Sequence, residues 1–449
     1  MKKSSLGILV FIAFQLPLSA QQMTLKQALD YAFTNNSNVK ISKYDTKIAA
    51  KKVTEQIGTA LPQIDANGTY TDNLEVSTSL LPGIILGRDD GSFIPVKMGK
   101  EYSAVGTLTL NQKIFDPIFW VALKAARTSD VLASQNERKT NEQTAYNVSS
   151  AYYRVVIVKK QLDILKSTLD ASEKTLASTQ LKYNNGMVRK TELDKIKVSY
   201  NNTKSQYQQT ELNYEQTLNS LKFEMGMPVE EALSVSESML DETVDTAQTL
   251  LDNDNYIENR IDYQLQQTNL SLMEANKQQY IASYMPTLSF FANYGYTAMR
   301  DKFNFLSGEE DWFRSSSIGL KLTVPIFSGF SRASRVSQAN VSIEKTKESI
   351  KLTEQSIKLD VFNSEVKYRN AIDNIQNEKE SLALAQSVYD DTQAAFRAGS
   401  QSSLDLIQAE TSLLTAQNNY FNKLLSLYTA RLDLEKSKGS LMNFINNLK

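Results

Sequence analysis

Apolar positions recurring every seven residues dominate two stretches of this chain. Leu162, Leu169, Leu176 and Tyr183 mark the first, and Ile375, Leu382, Tyr389 and Phe396 mark the second, 213 residues later. Beyond a lone glycine in each case the spacing resumes, as Leu193, Tyr200, Tyr207, Tyr214 and Leu221, answered by Leu406, Leu413, Tyr420, Leu427 and Leu434. Sustained seven-residue spacing belongs to helices that supercoil and pack knobs into holes. It predicts long helices over 117–183 and 330–396 and return helices over 188–225 and 402–437. About 66 residues at roughly 1.5 Å each make a rod of about 100 Å, too long for a compact core, so it needs partners along its length. For the helices alone, an ordinary antiparallel coiled coil also explains the pattern.

A period of two appears elsewhere. Leu288, Phe290, Ala292, Tyr294 and Tyr296 alternate with Thr287, Ser289, Asn293 and Thr297, with Phe291 an aromatic exception; Ile318, Leu320, Leu322 and Val324 alternate with Ser317, Gly319, Lys321 and Thr323. Earlier, Ile64, Ala66 and Tyr70 oppose Gln63, Asp65, Asn67 and Thr69. Strands are predicted over 63–78, 102–113, 287–298 and 314–324, each with one polar face, as any half-buried sheet would have.

The two kinds of element occur in the same order twice. "LTLNQKIFDPIFW" from Leu108 resembles "LKLTVPIFSGFSR" from Leu320; Gly186 and Gly226 match Gly399 and Gly439, and Pro62 matches Pro286. This is a twofold internal repeat. The first copy spans 21–226 and the second 257–449, each with a helix ended by a proline, two strands, a long helix, a glycine turn and a return helix. Residues 227–256, acidic and without a clear period, read as a linker.

Composition narrows the setting. Lys2 and Lys3, an apolar run from Leu6 to Leu18 and Ser19-Ala20 read as a signal peptide over 1–20. There is no cysteine to carry a lipid anchor, and the remainder has 47 basic and 50 acidic residues, unlike a nucleic-acid binder. Without histidine or cysteine there is no thiolate nucleophile, imidazole base or usual zinc set. No cofactor, metal site or enzymatic activity is expected; a carboxylate-only hydrolase would need an acidic pair in a cleft-forming loop, which the sequence does not offer.

An exported chain with strands near nine to eleven residues, and with Tyr70, Tyr102, Tyr296, Trp312 and Phe313 toward their ends, suits an outer-membrane barrel. Phe119 and Trp120 are candidates for the opposite rim, although each aromatic alone is better explained by packing. Four strands cannot close in lipid, where every unpaired edge group costs several kcal/mol, so the missing neighbours must come from other copies. Three would supply twelve strands. Asp65, Asn67, Thr69 and Lys321 would then face an aqueous lumen.

Five strings in order, "TLKQALDYAFTNNSNVK", "GTALPQIDANGTY", "SYMPTLSFFANYGY", "LTVPIFSGF" and "FRAGSQSSLDLIQAETSL", resemble the TolC-like outer-membrane efflux protein family over nearly all the mature chain. The resemblance implies a mixed fold, a membrane β-barrel continued by a long α-helical coiled-coil barrel. It implies a homotrimer with twelve strands and a periplasmic tunnel closed at rest. It also implies a periplasmic adaptor as partner and, through it, an inner-membrane transporter. The chain would be an outer-membrane exit duct, passively conducting substrates, with no nucleic acid involved.

The family's adaptor-contacting tips fall at Gly186 and Gly399, with Tyr183, Met187, Val188, Ser403 and Leu404 beside them; hairpin core and a glycine C-cap explain the same residues. Gate candidates are Glu192 and Asp405, six residues past each glycine, where a threefold axis would concentrate negative charge; acidic residues also complement a helix start. This chain departs from the family at Gln408, where a second acidic ring would stand, at Gln401 in place of an arginine, and at Phe396 in place of a tyrosine. Arg397, Arg189 or Lys190 would have to supply the cation of an ionic lock. The competing reading is a non-conducting periplasmic or surface coiled-coil scaffold, which leaves the four duplicated strands without a role.

Overall fold

A computed structural model describes residues 22–87, 91–236, 256–305, 307 and 311–447. The expected signal peptide and positions 237–255 of the expected linker lie outside the described residues. In chain order the elements begin with β1 (Gln22–Met23), α1 (Leu25–Asn35), α2 (Ser37–Gly58) and β2 (Gln63–Asp72). A hairpin of β3 (Thr78–Pro82) and β4 (Phe93–Lys97) comes next, with a short 3-10 turn Gly83–Leu86 between them, and then β5 (Tyr102–Phe115). Beyond it lie α3 (Pro117–Asn184), α4 (Lys190–Met225), β6 (Ser234–Val235), α5 (Tyr256–Asn259) and α6 (Ile261–Ala282). The chain finishes with β7 (Thr287–Arg300), β8 (Phe313–Thr323), α7 (Ser331–Ala398), α8 (Ser403–Ser437) and α9 (Leu441–Asn446).

These elements divide into two compact units. One takes Met1–Tyr44, Gln135–Leu265 and Ile350–Lys449; the other takes Asp45–Ser134 and Gln266–Ser349. Both long helices, at 68 residues each, contribute to both units.

The second unit holds a four-stranded sheet in the order β2-β5-β7-β8, every neighbouring pair antiparallel. β5 pairs β7, so the two repeats join through the middle of the sheet. The register sets Ile64 against Leu110, Leu110 against Ala292 and Ala292 against Ile318, and likewise Asp65, Thr109, Asn293 and Ser317. Directly opposed residues share a face, so one face is apolar across all four strands and the other polar. The division is clearest in the middle of the sheet; toward its far end Val105, Met299 and Phe313 fall on the polar face and Ser316 and Arg314 on the apolar one. Phe291 also lies on the polar face, its ring over Gly319, where an added Cβ would stand 2.6 Å from the ring.

The first strand ends at Asp72, short of the expected 78, because Asn73 turns the chain through hydrogen bonds to Glu101 and Lys100 carbonyls. Past this turn the β3–β4 hairpin forms a separate ribbon, with Leu80 opposite Pro95 and Pro82 opposite Phe93. Beyond β7, the buried Arg300 stacks its guanidinium on Phe305 and Trp312 and donates to Asn304, tying down the start of the second loop.

In the first unit the core gathers Leu25 and Leu29 of α1, Val148, Tyr152 and Val155 of α3, Leu221 and Met225 of α4, and Leu424, Leu427 and Leu434 of α8. The duplication is visible at its ends. Gly226 stops α4 at φ +72, where an added Cβ would stand 2.8 Å from the backbone of Asn35 and Asn36. Gly439 follows α8 at φ +71, where a Cβ would stand 3.0 Å from the backbone of Asn259. Asn36 donates to Glu224 O at 2.7 Å and Arg260 donates to Lys436 O at 2.8 Å, one polar tether in each repeat.

The buried stripes correct part of the heptad reading. In the second repeat Ile375, Tyr389, Leu406, Leu413, Leu427 and Leu434 are buried as expected. In the first, Leu162, Leu193 and Leu221 are also buried as expected, but Leu169, Leu176, Tyr200, Tyr207 and Tyr214 are only half-buried, as are Leu382, Phe396 and Tyr420 of the second. Beside the half-buried positions of the first repeat, Thr168, Ser172, Thr175 and Thr179 on α3 and Thr203, Thr210 and Thr217 on α4 are buried. Most of these hydroxyls donate back to a carbonyl of their own helix, as Thr175 does to Ala171 and Thr210 to Gln206, both at 2.9 Å. A threonine so satisfied is small enough to let two helices approach, and the bulkier residues are displaced to the flanks.

Candidate functional site

The two turns are built alike. α3 ends at Asn184 and Gly186, at φ +71, donates to Tyr183 O, while Met187 N donates to Lys182 O at 2.8 Å. α7 ends at Ala398 and Gly399, at φ +82, donates to Phe396 O, while Ser400 N donates to Ala395 O at 2.9 Å. Nothing crowds either glycine, so the left-handed backbone alone requires it.

Side chains distinguish the turns. Arg189 precedes α4 without a side-chain cap. Ser402 precedes α8 in a capping box: its hydroxyl donates to Asp405 at 2.8 Å and accepts from the Asp405 amide, while its own amide donates to the same carboxylate at 3.1 Å. These bonds hold the exposed Asp405 carboxyl below the usual aspartate range, the Ser402 hydroxyl first. Glu192 accepts a hydrogen bond from the buried Ser403 hydroxyl and an ion pair from Lys195 at 3.0 Å, and both lower its pKa, the serine more.

The expected site residues therefore fall into distinct environments. Met187 and Leu404 are exposed, at 72% and 62%; Gln401, Gln408 and Arg397 are also exposed, Tyr183 is at the margin, and Val188 and Phe396 are half-buried. Lys182 bridges the turns, donating to Arg397 O at 3.3 Å with its ammonium 5.7 Å from the centre of the Phe396 ring. The Arg397 guanidinium donates to Gln393, which in turn donates to the Tyr389 hydroxyl, each at 3.0 Å. Burial, with the Glu410 charge adding, pushes the Tyr389 phenol up to about 12. Ser403, expected at an exposed tip, is instead 1% exposed, because its hydroxyl turns inward to Glu192.

The sequence reading missed a second link between these helices. Glu410 of α8 is 5% exposed and accepts from Ser199 at 2.7 Å and Thr203 at 2.9 Å, both on α4. The threonines at 203, 210 and 217, every seventh residue, were the signal that could have shown a polar seam on α4.

In the other unit, Asp65, Asn67, Thr69 and Lys321 share the polar face of the sheet. Among the described residues much of the apolar face is exposed, with Ile318 at 78% and Leu320 at 66%, while its far end is covered, with Ala298 and Arg300 buried and Tyr70 packed on Phe303 and Phe305. Among the described residues β2 and β8 each have one strand neighbour and present an unpaired edge. Among the described residues, no helix is long and apolar enough to cross a membrane, and no three acidic side chains are grouped to hold a metal.

A duplicated helical hairpin joined to a sheet that is polar on one face and apolar on the other defines a TolC-like outer-membrane channel fold. The Outer membrane efflux protein family matches residues 59–227 and 254–440, and the chain belongs to that family. It is similar to the outer membrane protein TolC of Escherichia coli (strain K12), 23% identical over an alignment 444 residues long, with 94% of this chain and 83% of TolC covered. It is also similar to the alkaline protease secretion protein AprF of Pseudomonas aeruginosa, 19% identical over 72% of this chain and 67% of that protein. Among solved structures, the Campylobacter jejuni CmeC outer membrane channel matches with a TM-score of 0.70 and 16% identity, covering 93% of this chain and 86% of that one. The open state of the Neisseria gonorrhoeae MtrE outer membrane channel matches at 0.69, with 16% identity over 93% and 89%.

Proposed function

We propose that three copies of this chain close a twelve-stranded barrel in the outer membrane, and that the assembly is a passive exit duct. The observation that carries this is the sheet: one apolar face, one polar face and two free edges. In hydrocarbon each unpaired edge group costs several kcal/mol, so β2 and β8 need strand partners, and sister chains carry the complementary edges. Asp65, Asn67, Thr69 and Lys321 then line water. The coiled-coil helices extend into the periplasm as a tunnel.

The exposed apolar residues at the turns, Met187 and Leu404, with Tyr183, Val188, Gly186 and Gly399 beside them, fit a hairpin-to-hairpin contact with a periplasmic adaptor. That adaptor would connect the duct to an energised inner-membrane transporter, where substrate choice would reside. Glu192 and Asp405 are the acidic candidates at the entrance, with Gln401, Gln408, Phe396 and Arg397 around them. Both carboxylates are engaged by serine hydroxyls, which fixes their positions; Asp405 keeps its negative charge for cations, while Glu192 already shares its charge with Lys195.

Planar-bilayer conductance of the purified protein tests the reading. Discrete, cation-selective channels are expected, with divalent block weakened in Asp405→Ala. A protein that inserts no channels would overturn the duct, and unchanged block in the variant would remove Asp405 from the entrance.

A further inference from the structure

The seam between α4 and α8 carries a charged group that neither the duct reading nor the turns require. The two helices run in parallel, since Glu192 meets Ser403 and, seven residues on, Ser199 meets Glu410. The roles reverse along the seam: the carboxylate comes first from α4 and then from α8. The helix neighbours of Glu410, Leu406 and Leu413, belong to a buried apolar cluster with Ile196 and Tyr389, whereas the groove that Glu410 itself lines is largely polar, with Asp194, Asn202 and Gln206 on its α4 side. Among the described residues the carboxylate has no ion pair, and its hydrogen bonds are those from Ser199 and Thr203. A groove runs alongside, lined by Lys195, Ser199, Thr203, Ile407, Glu410 and Leu414.

A buried carboxylate held by two hydroxyls is a poor permanent fastener. Its desolvation opposes the closed seam, two charge-assisted hydrogen bonds offset that cost, and water entering from the groove would satisfy the carboxylate as well. An apolar residue of similar volume would hold the same helices with no such reason to part. We propose that Glu410 makes the α4–α8 seam a two-state contact, closed on Ser199 and Thr203 and open when the carboxylate is hydrated, so that the helices beyond the turns can separate reversibly. The consequence for conduction rests on the duct reading.

The two sides of the contact then have effects of opposite sign. Removing the hydroxyls, in Ser199→Ala with Thr203→Val, leaves a buried charge unpaired in the closed seam and favours parting. Replacing the charge, in Glu410→Leu, favours the closed seam. A residue that merely stabilised the fold would move both variants the same way.

The test is single-channel recording of the full-length protein, with open probability as the readout. The donor-side pair is expected to raise it by about tenfold and Glu410→Leu to lower it by about tenfold, the scale of one charge-assisted hydrogen bond. Glu410→Gln, which keeps the shape and one acceptor, should lie between Glu410→Leu and wild type. If wild type conducts and the two variants move together, or neither moves, the switch is overturned while the duct stands. A wild type without channels overturns the duct; disulfide trapping of Ile196→Cys with Ile407→Cys then decides the seam alone. The switch requires that trapping to slow in the donor-side pair and to quicken in Glu410→Leu, and equal rates would overturn it. Should Glu410→Leu fail to fold, the near-isosteric Thr203→Val must raise open probability, and no change would sink the proposal.

Discussion

The return helices α4 and α8 occupy equivalent places in the two repeats, yet are held by different means. α8 begins with a capping box and buries Leu406, Leu413, Leu427 and Leu434. α4 begins without a side-chain cap and buries Thr203, Thr210 and Thr217 in its middle. What the repeats retain in common is backbone: the left-handed glycines at 186 and 399, and the tight helix ends at 226 and 439. Duplication has preserved the positions where conformation leaves one choice, and let side chains diverge where packing admits several solutions.

The largest effects should come where the repeats are equal. Gly226→Ala must bring a Cβ into backbone at a positive φ and is expected to cost about 3 kcal/mol or more. Gly439→Ala, where the approach is 3.0 Å, should rank just below it. Thermal melts of the detergent-solubilised protein check both, and a much milder loss at one would mean that the two ends are not equivalent.

The next effects should separate the repeats. Leu413→Ala removes a side chain 1% exposed and should cost about 2–5 kcal/mol, whereas Tyr200→Ala, at the matching but half-buried position, should cost about 1 kcal/mol. Denaturant midpoints measure the pair. Similar losses would erase the distinction between a leucine seam and a threonine seam.

Smaller still is the cap. Ser402→Ala should cost about 1 kcal/mol and Arg189→Ala about 0.5 kcal/mol at most, because only the first removes a helix cap. The smallest effect is in pH. Asp405 has its pKa lowered on folding, so the support of its carboxylate is present above the ordinary aspartate value, about 4, and is lost as pH falls below it through the depressed value. Acid melts of wild type should show a slight loss in that window, and Ser402→Ala should reduce it, leaving the part owed to the residue-402 amide.

Much of this was legible because it is periodic. Alternation in 287–298 and 314–324 located β7 and β8, and the lone glycines located both turns. The β3–β4 hairpin escaped because Pro82 and Pro95 sit where a strand pattern should be uninterrupted, which is tolerable only in a two-stranded ribbon with free edges. The threonine seam escaped because a hydrophobic stripe was sought, and a threonine bonded to its own helix packs as a small apolar residue would. Glu410 escaped for a different reason: its partners lie 211 and 207 residues away, and no spacing within one helix reveals which helix lies alongside.

The central claim is that the sheet separates water from lipid, and the absence of native cysteine makes it directly measurable. Single cysteines placed along β8 at 316 through 322, in membrane-reconstituted protein, would be probed with a water-soluble thiol reagent and with a fluorophore quenched by labelled acyl chains. Strict alternation is predicted, with 317, 319 and 321 reacting from water and 318, 320 and 322 quenched by lipid. Uniform labelling by the aqueous reagent along the whole strand would contradict a sheet with lipid on one side.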